Sequence, residues 1–449
     1  MTDSQIIGRI KVTGDLVLES PLLIGDGAGE TSDNFKDIHV LKNQDGVPFI
    51  PGTSICGVLR EDFSGSEVFK KIFGCIKDKK NPKDKEEFQS AIQIEDIELS
   101  GGEIIYRDGV KIDGLTGTGV DGGKYDYEAV ERGASGKLRM LINLRGYHSA
   151  EIDKIKKTVA EILGKLENGI RLGALTSKGF GLAKVEKLNA EFYDFTNKAD
   201  VIAWLTDKSA TDKISPVTQN ISADTKNFIV DAQFKFNSSF IIRNYEITAE
   251  DKEKTISAVS LKSLKDFVIP GTSLKGIFRH HAEYIFQKLG LDEKLLNNLM
   301  GYSEGEEKIK SRFIVSESYI EPENFSEVEH ARNKIDRFTG GTLLGALFKT
   351  KPVYQKNFDK PTLHVHFEIT DAKNFEAGLA IFLLRDLWLG KIAIGGEKCI
   401  GRGTVTGISA EINFNGVTYK LGENGKVIDG NASELSKIAE SVQNWGESK

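Results

Sequence analysis

An α+β fold built twice over is what this sequence predicts, and three observations predict it. The string FIPGTSICGVLR, Phe49 to Arg60, returns as VIPGTSLKGIFR, Val268 to Arg279. Around each copy, apolar residues recur first with the alternation of a half-buried strand and then with the spacing of an amphipathic helix. The flanking blocks also keep one order: Pro270 follows Pro51 by 219 residues, Ser311 follows Ser90 by 221 and Asp336 follows Asp113 by 223. Length agrees, because 449 residues exceed what one hydrophobic core comfortably serves.

Taken in order, Ile10 to Leu18 alternates as a strand and runs into a glycine-rich loop holding Asp26, Glu30, Asp33 and Asp37. The Pro-Gly turn at Pro51 follows, with Thr53 and Ser54 placed to cap a helix that should run to Ile72–Gly74. Ser90 to Leu99 reads as a strand, and the long insertion after it reads as a protruding arm that closes on the strand Lys137 to Leu144. Ile152, Ile155, Val159, Ile162, Leu163 and Leu166 share one helical face, and a late glycine loop leads to the last strand. Stripped of insertions, the order is strand, helix, strand, strand, helix, strand, the ferredoxin-like or RNA-recognition arrangement. The second half repeats it, with Leu299–Gly301 answering Ile72–Gly74. The domains are therefore set at 1–193 and 228–449, with a polar linker at 194–227 containing one short helix around Trp204.

Composition narrows the class of function. The chain has 39% hydrophobic and 28% charged residues, as an ordinary globular protein does. Its 60 Lys plus Arg against 66 Asp plus Glu give a formal charge of -6, which argues against coating nucleic acid by charge alone. Cys56, Cys75 and Cys399 form no CxxC pair, so no zinc knuckle or disulfide framework is expected, and a reducing cytoplasm fits. No apolar run is long enough to span a bilayer, so no membrane partner is expected.

Each half brings two glycine-bearing loops to strand ends. At the first, Gly52, Thr53 and Ser54, answered by Gly271, Thr272 and Ser273, put backbone N–H groups and hydroxyls where a phosphate could sit, with Arg60, Lys275 and Arg279 as nearby cations. At the second, Gly179 and Gly181, answered by Gly401 and Gly403, allow close backbone approach, with Lys178 and Arg402 as cations. Such contacts position a nucleic acid without reading its sequence. In the arms, Asp113 and Thr116 are answered by Asp336 and Thr339. The GxxxxGK[ST] spacing of a nucleotide-binding loop and the aromatic RNA-recognition consensus are both missing.

The strings IPGTSICGVLR and IPGTSLKGIFR, the loops GALTSKGFG and GEKCIGRG, and the arms RDGVKIDGLTGTGVDGGKYDYEAV and RNKIDRFTGG resemble the RAMP proteins of CRISPR systems, nearest to the backbone subunits of type III effector complexes. The resemblance implies modified ferredoxin-like units that bind guide RNA, pair it with target RNA and assemble with other subunits, each unit reaching into the duplex with its arm. Family members that cut target RNA use an aspartate in the first glycine-rich loop. Asp37, fourteen residues before Pro51, matches that pattern and is the expected catalytic and metal-binding residue, with Mg2+ or Mn2+ as the cation. The second half has Ile256 at the matching position, and Asp251 is the candidate there. The alternative is a scaffold that binds guide RNA and leaves cutting to its neighbours. A nuclease that processes the CRISPR precursor transcript would need an acid–base histidine near a basic cleft, which seven scattered histidines do not favour.

Overall fold

The computed structural model describes residues 4–27, 38–76, 87–114, 116–217, 226–244, 256–304, 307–356 and 361–445. The chain forms two compact units, one comprising Met1–Asp113, Gly117–Thr176 and Phe180–Gln219, the other Gly114–Thr116, Ser177–Gly179 and Asn220–Lys449.

In the first unit the central strand β1 (Ile6–Leu18) lies between β3 (Ser135–Arg145) and β4 (Leu182–Asp194), both antiparallel to it, and β2 (Ile92–Ile94) extends the sheet beyond β3. The order β2-β3-β1-β4 is the ferredoxin-like one. Alternation fixes the buried face. Ile10 stands opposite Ile142 and Phe192, and Val12 opposite Met140 and Ala190. Helix α3 (Ile152–Asn168) buries Ile155, Val159, Ile162, Leu163 and Leu166, the stripe its spacing predicts.

The second unit repeats the plan. Strand β5 (Phe228–Phe236) lies between β7 (Leu363–Ile369) and β8 (Val405–Phe414), with β6 (Phe313–Val315) beyond β7. Its sheet continues past β8 through Val417–Leu421 and Val427–Asp429. Helix α7 (Asn374–Trp388) is buried along most of its length, because α8 (Ala432–Glu440) packs on it as well. This core is rich in aromatic rings, with Trp388 set edge-on to Phe234 at 5.8 Å. Among the described residues no helix is long and apolar enough to cross a membrane.

The structure corrects two local expectations. The helix after each Pro-Gly turn is broken: α1 (Gly52–Asp62) and α2 (Phe69–Phe73) are separate, as are α5 (Gly271–Leu289) and α6 (Glu293–Met300), where Gly290 takes a left-handed conformation. The strand expected over Ser90–Leu99 is interrupted at Glu95 and Asp96, so that Ile97–Glu98 pairs with Phe49–Ile50 instead of the main sheet. In the stretch after β4 the short helix expected around Trp204 is present. Helix α4 (Lys198–Leu205) sets Trp204 edge-on to Tyr193 at 5.1 Å, and Asp212–Lys213 pairs with β4.

Candidate functional site

The Pro-Gly corners differ from their sequence reading. Pro51 and Pro270 are the residues before the helices and no side chain caps either start, so Thr53, Ser54, Thr272 and Ser273 lie inside the first turn. A proline with φ of -59° and extended ψ makes Gly52 the first helical residue and moves the hydroxyls one step too far to cap. In the first unit the Gly52 N–H donates to Asp96 Oδ1 at 2.8 Å. A carboxylate of the chain itself thus occupies one of the donors a phosphate would need. The glycine is required by close approach, since a Cβ on Gly52 would lie 2.0 Å from Ile94 O. At the matching place in the second unit, Gly271 approaches Val315 O and Glu317 stands where Asp96 does.

The cations near these corners have internal work. Arg60, though exposed, donates to Phe73 O at 3.1 Å and lies over the Phe69 ring. Arg279 donates to Gly301 O at 2.8 Å, Asn297 Oδ1 at 2.5 Å and Glu283 Oε1 at 3.1 Å. Both arginines therefore tie one helix to the end of the next. Ser90 and Ser311 bond the same turns, reaching Ile72 O and Leu299 O at 3.4 and 3.3 Å. Lys275 is 6% exposed and donates to Ser311 Oγ at 2.7 Å. Burial first, and then neighbouring cations including Arg279, push its amine down to about 7.

The late loops match in backbone detail. Leu175 and Glu397 both have left-handed φ, of 57° and 59°, and Gly179, Gly181, Gly401 and Gly403 have positive φ at matching places. A Cβ on Gly181 would meet Leu172 O at 1.9 Å, and one on Gly403 would meet Ile394 O at 1.9 Å. In this register Lys178 answers Ile400 and Arg402 answers Phe180. Phe180 is fully buried, and Arg402 is 4% exposed with Nε on Glu397 Oε2 at 2.8 Å and Nη1 on Ser239 Oγ. Arg402 is thus an internal strut, the polar counterpart of a core phenylalanine, and not the surface cation its glycine neighbours suggest. Lys178 is half-buried, and burial lowers its amine.

The arms show the repeat most sharply. In the first, Ile104–Ile112 and Gly119–Val130 pair antiparallel, and the tip closes with Asp113 N on Thr118 O at 2.8 Å and Gly117 N on Asp113 O at 2.9 Å. In the second, Asp336 N reaches Gly341 O at 2.8 Å and Gly340 N reaches Asp336 O at 2.9 Å. Gly117 and Gly340 share a φ of 69°. Asp336 Oδ1 accepts from the N–H groups of Phe338 and Thr339, which lowers its pKa. At the second tip Phe338 is 91% exposed, and Thr339 Oγ1 accepts from Gly341 N at 3.3 Å.

A family model of the RAMP superfamily matches residues 15–184 and 232–406, one stretch in each half. The chain belongs to the RAMP superfamily. At the level of that family it is a CRISPR-associated RNA-binding subunit of multi-subunit complexes, and RAMP proteins include some ribonucleases. A search of curated proteins finds no match.

Both acids expected to cut RNA, Asp37 and Asp251, lie outside the described residues. What surrounds the exit from the first RAMP unit's loop is described. Gly25 bridges Val40, Asp26 N bonds His39 O at 3.1 Å, and Ile38, next to Asp37, donates to Asp126 O at 3.5 Å. Asp126 stands directly across the arm strands from Asp108, and burial together with the Asp126 carboxyl raises the pKa of Asp108. Glu128 accepts from Val40 N at 3.1 Å and Lys42 Nζ at 3.4 Å. Lys124 lies between the Asp108 and Asp126 carboxyls, its Nζ 3.4 Å from Asp108 Oδ1 and 3.5 Å from Asp126 Oδ1. Among the described residues alone, no group of three or more histidine, cysteine or acidic side chains is placed to hold a metal ion.

Asp96 was not legible as a functional residue, although the repeat register held a signal, since Glu317 follows it by 221 residues. Glu397, in the late loop of the second RAMP unit, was missed for the same reason that Arg402 was misread: glycine spacing says nothing of burial.

Proposed function

We propose that the chain is a backbone subunit of a type III CRISPR effector, a cytoplasmic ribonucleoprotein in which its two RAMP units hold guide RNA and the first cuts paired target RNA through Asp37. The observation that carries this reading is the repeated arm tip, closed by the same two hydrogen bonds in both units of a chain whose halves both match the family. Two arms of one design suit two equivalent places along a regular duplex.

Cutting needs little from the protein, because RNA supplies its own nucleophile. An aspartate with an ordinary pKa of ~3.9 is ionised at neutral pH and can orient the 2′-hydroxyl toward the adjacent phosphorus. The 2′-oxygen to phosphorus bond forms as the phosphorus to 5′-oxygen bond breaks; the 2′-hydroxyl gives its proton to solvent and the 5′-oxygen takes one from solvent, giving a 2′,3′-cyclic phosphate and a 5′-hydroxyl. Mg2+ or Mn2+ held by Asp37 would neutralise the charge that builds on the phosphate. Asp251 is the corresponding candidate in the second unit.

The test is the assembled complex carrying Asp37→Ala. Loss of one specific target fragment with guide RNA still bound is expected, and loss of a second fragment in Asp251→Ala would make both units active. An unchanged fragment ladder in both variants would leave a guide-binding scaffold. Chelation by EDTA should abolish every fragment that Asp37→Ala removes; survival of those fragments would overturn the metal.

A further inference from the structure

In both units the chain that emerges from the loop before the Pro-Gly turn is fastened to the base of the arm. In the first, Ile38 stands opposite Tyr127 of the arm strand Gly119–Val130, running parallel to it, and Glu128 N donates to Ile38 O at 2.9 Å. In the second, Ala258 stands opposite Thr350, again parallel, and Lys351 N donates to Ala258 O at 3.1 Å. Ala258 therefore answers Ile38 and Lys351 answers Glu128, at separations of 220 and 223 residues. The second separation is also the one between Asp113 and Asp336 in the arms. Counting back from the Pro-Gly turn puts Ile256 at the place of Asp37; the strand pairing moves the match by one residue, to Ser257.

What the first unit adds to this pairing is a carboxylate. Glu128 is 5% exposed, and its Oε2 accepts from Val40 N at 3.1 Å and from Lys42 Nζ at 3.4 Å. Its Oε1 accepts from Tyr106 OH at 3.3 Å and lies 3.4 Å from His39 Nδ1. One side chain of the arm thus holds His39, Val40 and Lys42, and through Tyr106 it also ties the opposing arm strand Ile104–Ile112. Taking a carboxylate out of water is costly. The second unit keeps the parallel pairing with Lys351 in that place, so the pairing itself does not call for the acid. The acid on the loop and the acid on the arm stand together in the first unit and are replaced together, by Ser257 and Lys351, in the second.

We infer that Glu128 is a positioning residue for RNA cleavage: through His39, Val40 and Lys42 it fixes the exit of the Asp37 loop to the base of the arm, so that seating the arm on RNA also sets where the cutting acid stands. This rests on the reading of Asp37 as that acid and adds the residue that orients it. A reacting group displaced by about 1 Å can lose roughly 100-fold in rate while binding stays intact. A clamp on the strand next to Asp37 therefore acts on the rate of the cut and not on the affinity for RNA.

The test uses the assembled complex with guide RNA and a labelled complementary target, comparing single-turnover cleavage by wild type, Asp37→Ala, Glu128→Ala and Glu128→Gln. For the fragment that Asp37→Ala removes, Glu128→Ala should slow formation about 100-fold with target affinity unchanged, and every other fragment should form at the wild-type rate. Glu128→Gln keeps an oxygen for Val40 N and loses only the charge felt by Lys42 and His39, so it should slow the same fragment by about tenfold. If Glu128→Ala does not assemble, Glu128→Gln decides alone. Wild-type rates in the Glu128 variants that assemble, with the fragment still missing from Asp37→Ala, would overturn the positioning role and leave the catalytic reading standing. A fall in guide or target affinity in Glu128→Gln as large as its fall in rate would also overturn the role, because Glu128 would then serve only to keep the fold. An unchanged fragment ladder in Asp37→Ala would overturn the catalytic reading and this role together.

Discussion

Arg279 and Arg60 occupy matching positions and perform one task, yet they should differ in worth. Arg279 reaches a carbonyl, an amide and a carboxylate from a half-buried site, whereas Arg60 is exposed and makes one hydrogen bond. Charge-assisted hydrogen bonds to buried partners are worth about 1.5–3 kcal/mol, and exposed ones about 1 or less. Arg279→Ala should therefore lower stability to urea by about 2 kcal/mol and Arg60→Ala by under about 1; the reverse order would show that the helix ties do not set these costs. The late loop of the second unit gives a cleaner contrast. Gly403 has positive φ and no room for a Cβ, while Gly401 has positive φ and open space. Gly401→Ala should cost about 1 kcal/mol of backbone strain, and Gly403→Ala about 2–5 because the added carbon strikes Ile394 O. Equal melting temperatures for the two variants would contradict this.

Among the elements, the turn Gly146–Glu151 before α3 holds a pH-sensitive contact. Its His148 is fully buried, with Nδ1 accepting from Arg145 N at 2.8 Å and Nε2 donating to Lys71 O at 3.2 Å, so the ring is neutral and joins the start of α3 to the end of α2. Burial pushes its pKa below the ordinary 6.5. The unfolded chain then takes up a proton at a pH where the folded one does not, so the contribution is complete above about 6.5 and is lost as pH falls toward the folded value. Urea midpoints should fall between pH 7 and pH 5 by up to about 1.4 kcal/mol per pH unit from this group, and His148→Phe should remove that part of the slope. An identical slope in the variant would refute it. Strands and amphipathic helices were readable in the sequence because alternation and three-four spacing are local. The start of α1 was not, because Asp96, forty-four residues on, satisfies the donor that a capping hydroxyl was expected to take.

At the scale of the whole molecule the duplication was legible, since a shared backbone keeps glycines wherever φ is positive or carbonyls come close, and those glycines repeat at Gly173, Gly179 and Gly181 against Gly395, Gly401 and Gly403. What the repeat could not show is which copy uses a position for packing and which for charge, as Phe180 and Arg402 do. The same duplication gives each unit a core of its own: among the described residues, most buried apolar residues fall into two clusters with no member in common, one running from Ile7 to Phe192 and the other from Phe228 to Trp445. Each has the size and layering of an independent domain. A cavity cut into one core should then loosen that unit's amides and spare the other's. Leu163→Ala, from the buried face of α3, should cost about 2–5 kcal/mol and speed hydrogen exchange in β1, β3 and β4 while β5, β7 and β8 keep their protection. Leu383→Ala, equally buried in α7, should do the converse. Exchange that rises to the same extent in all six strands for either variant would mean that the two cores unfold as one, and that the duplicated halves have lost the independence their separate packing implies.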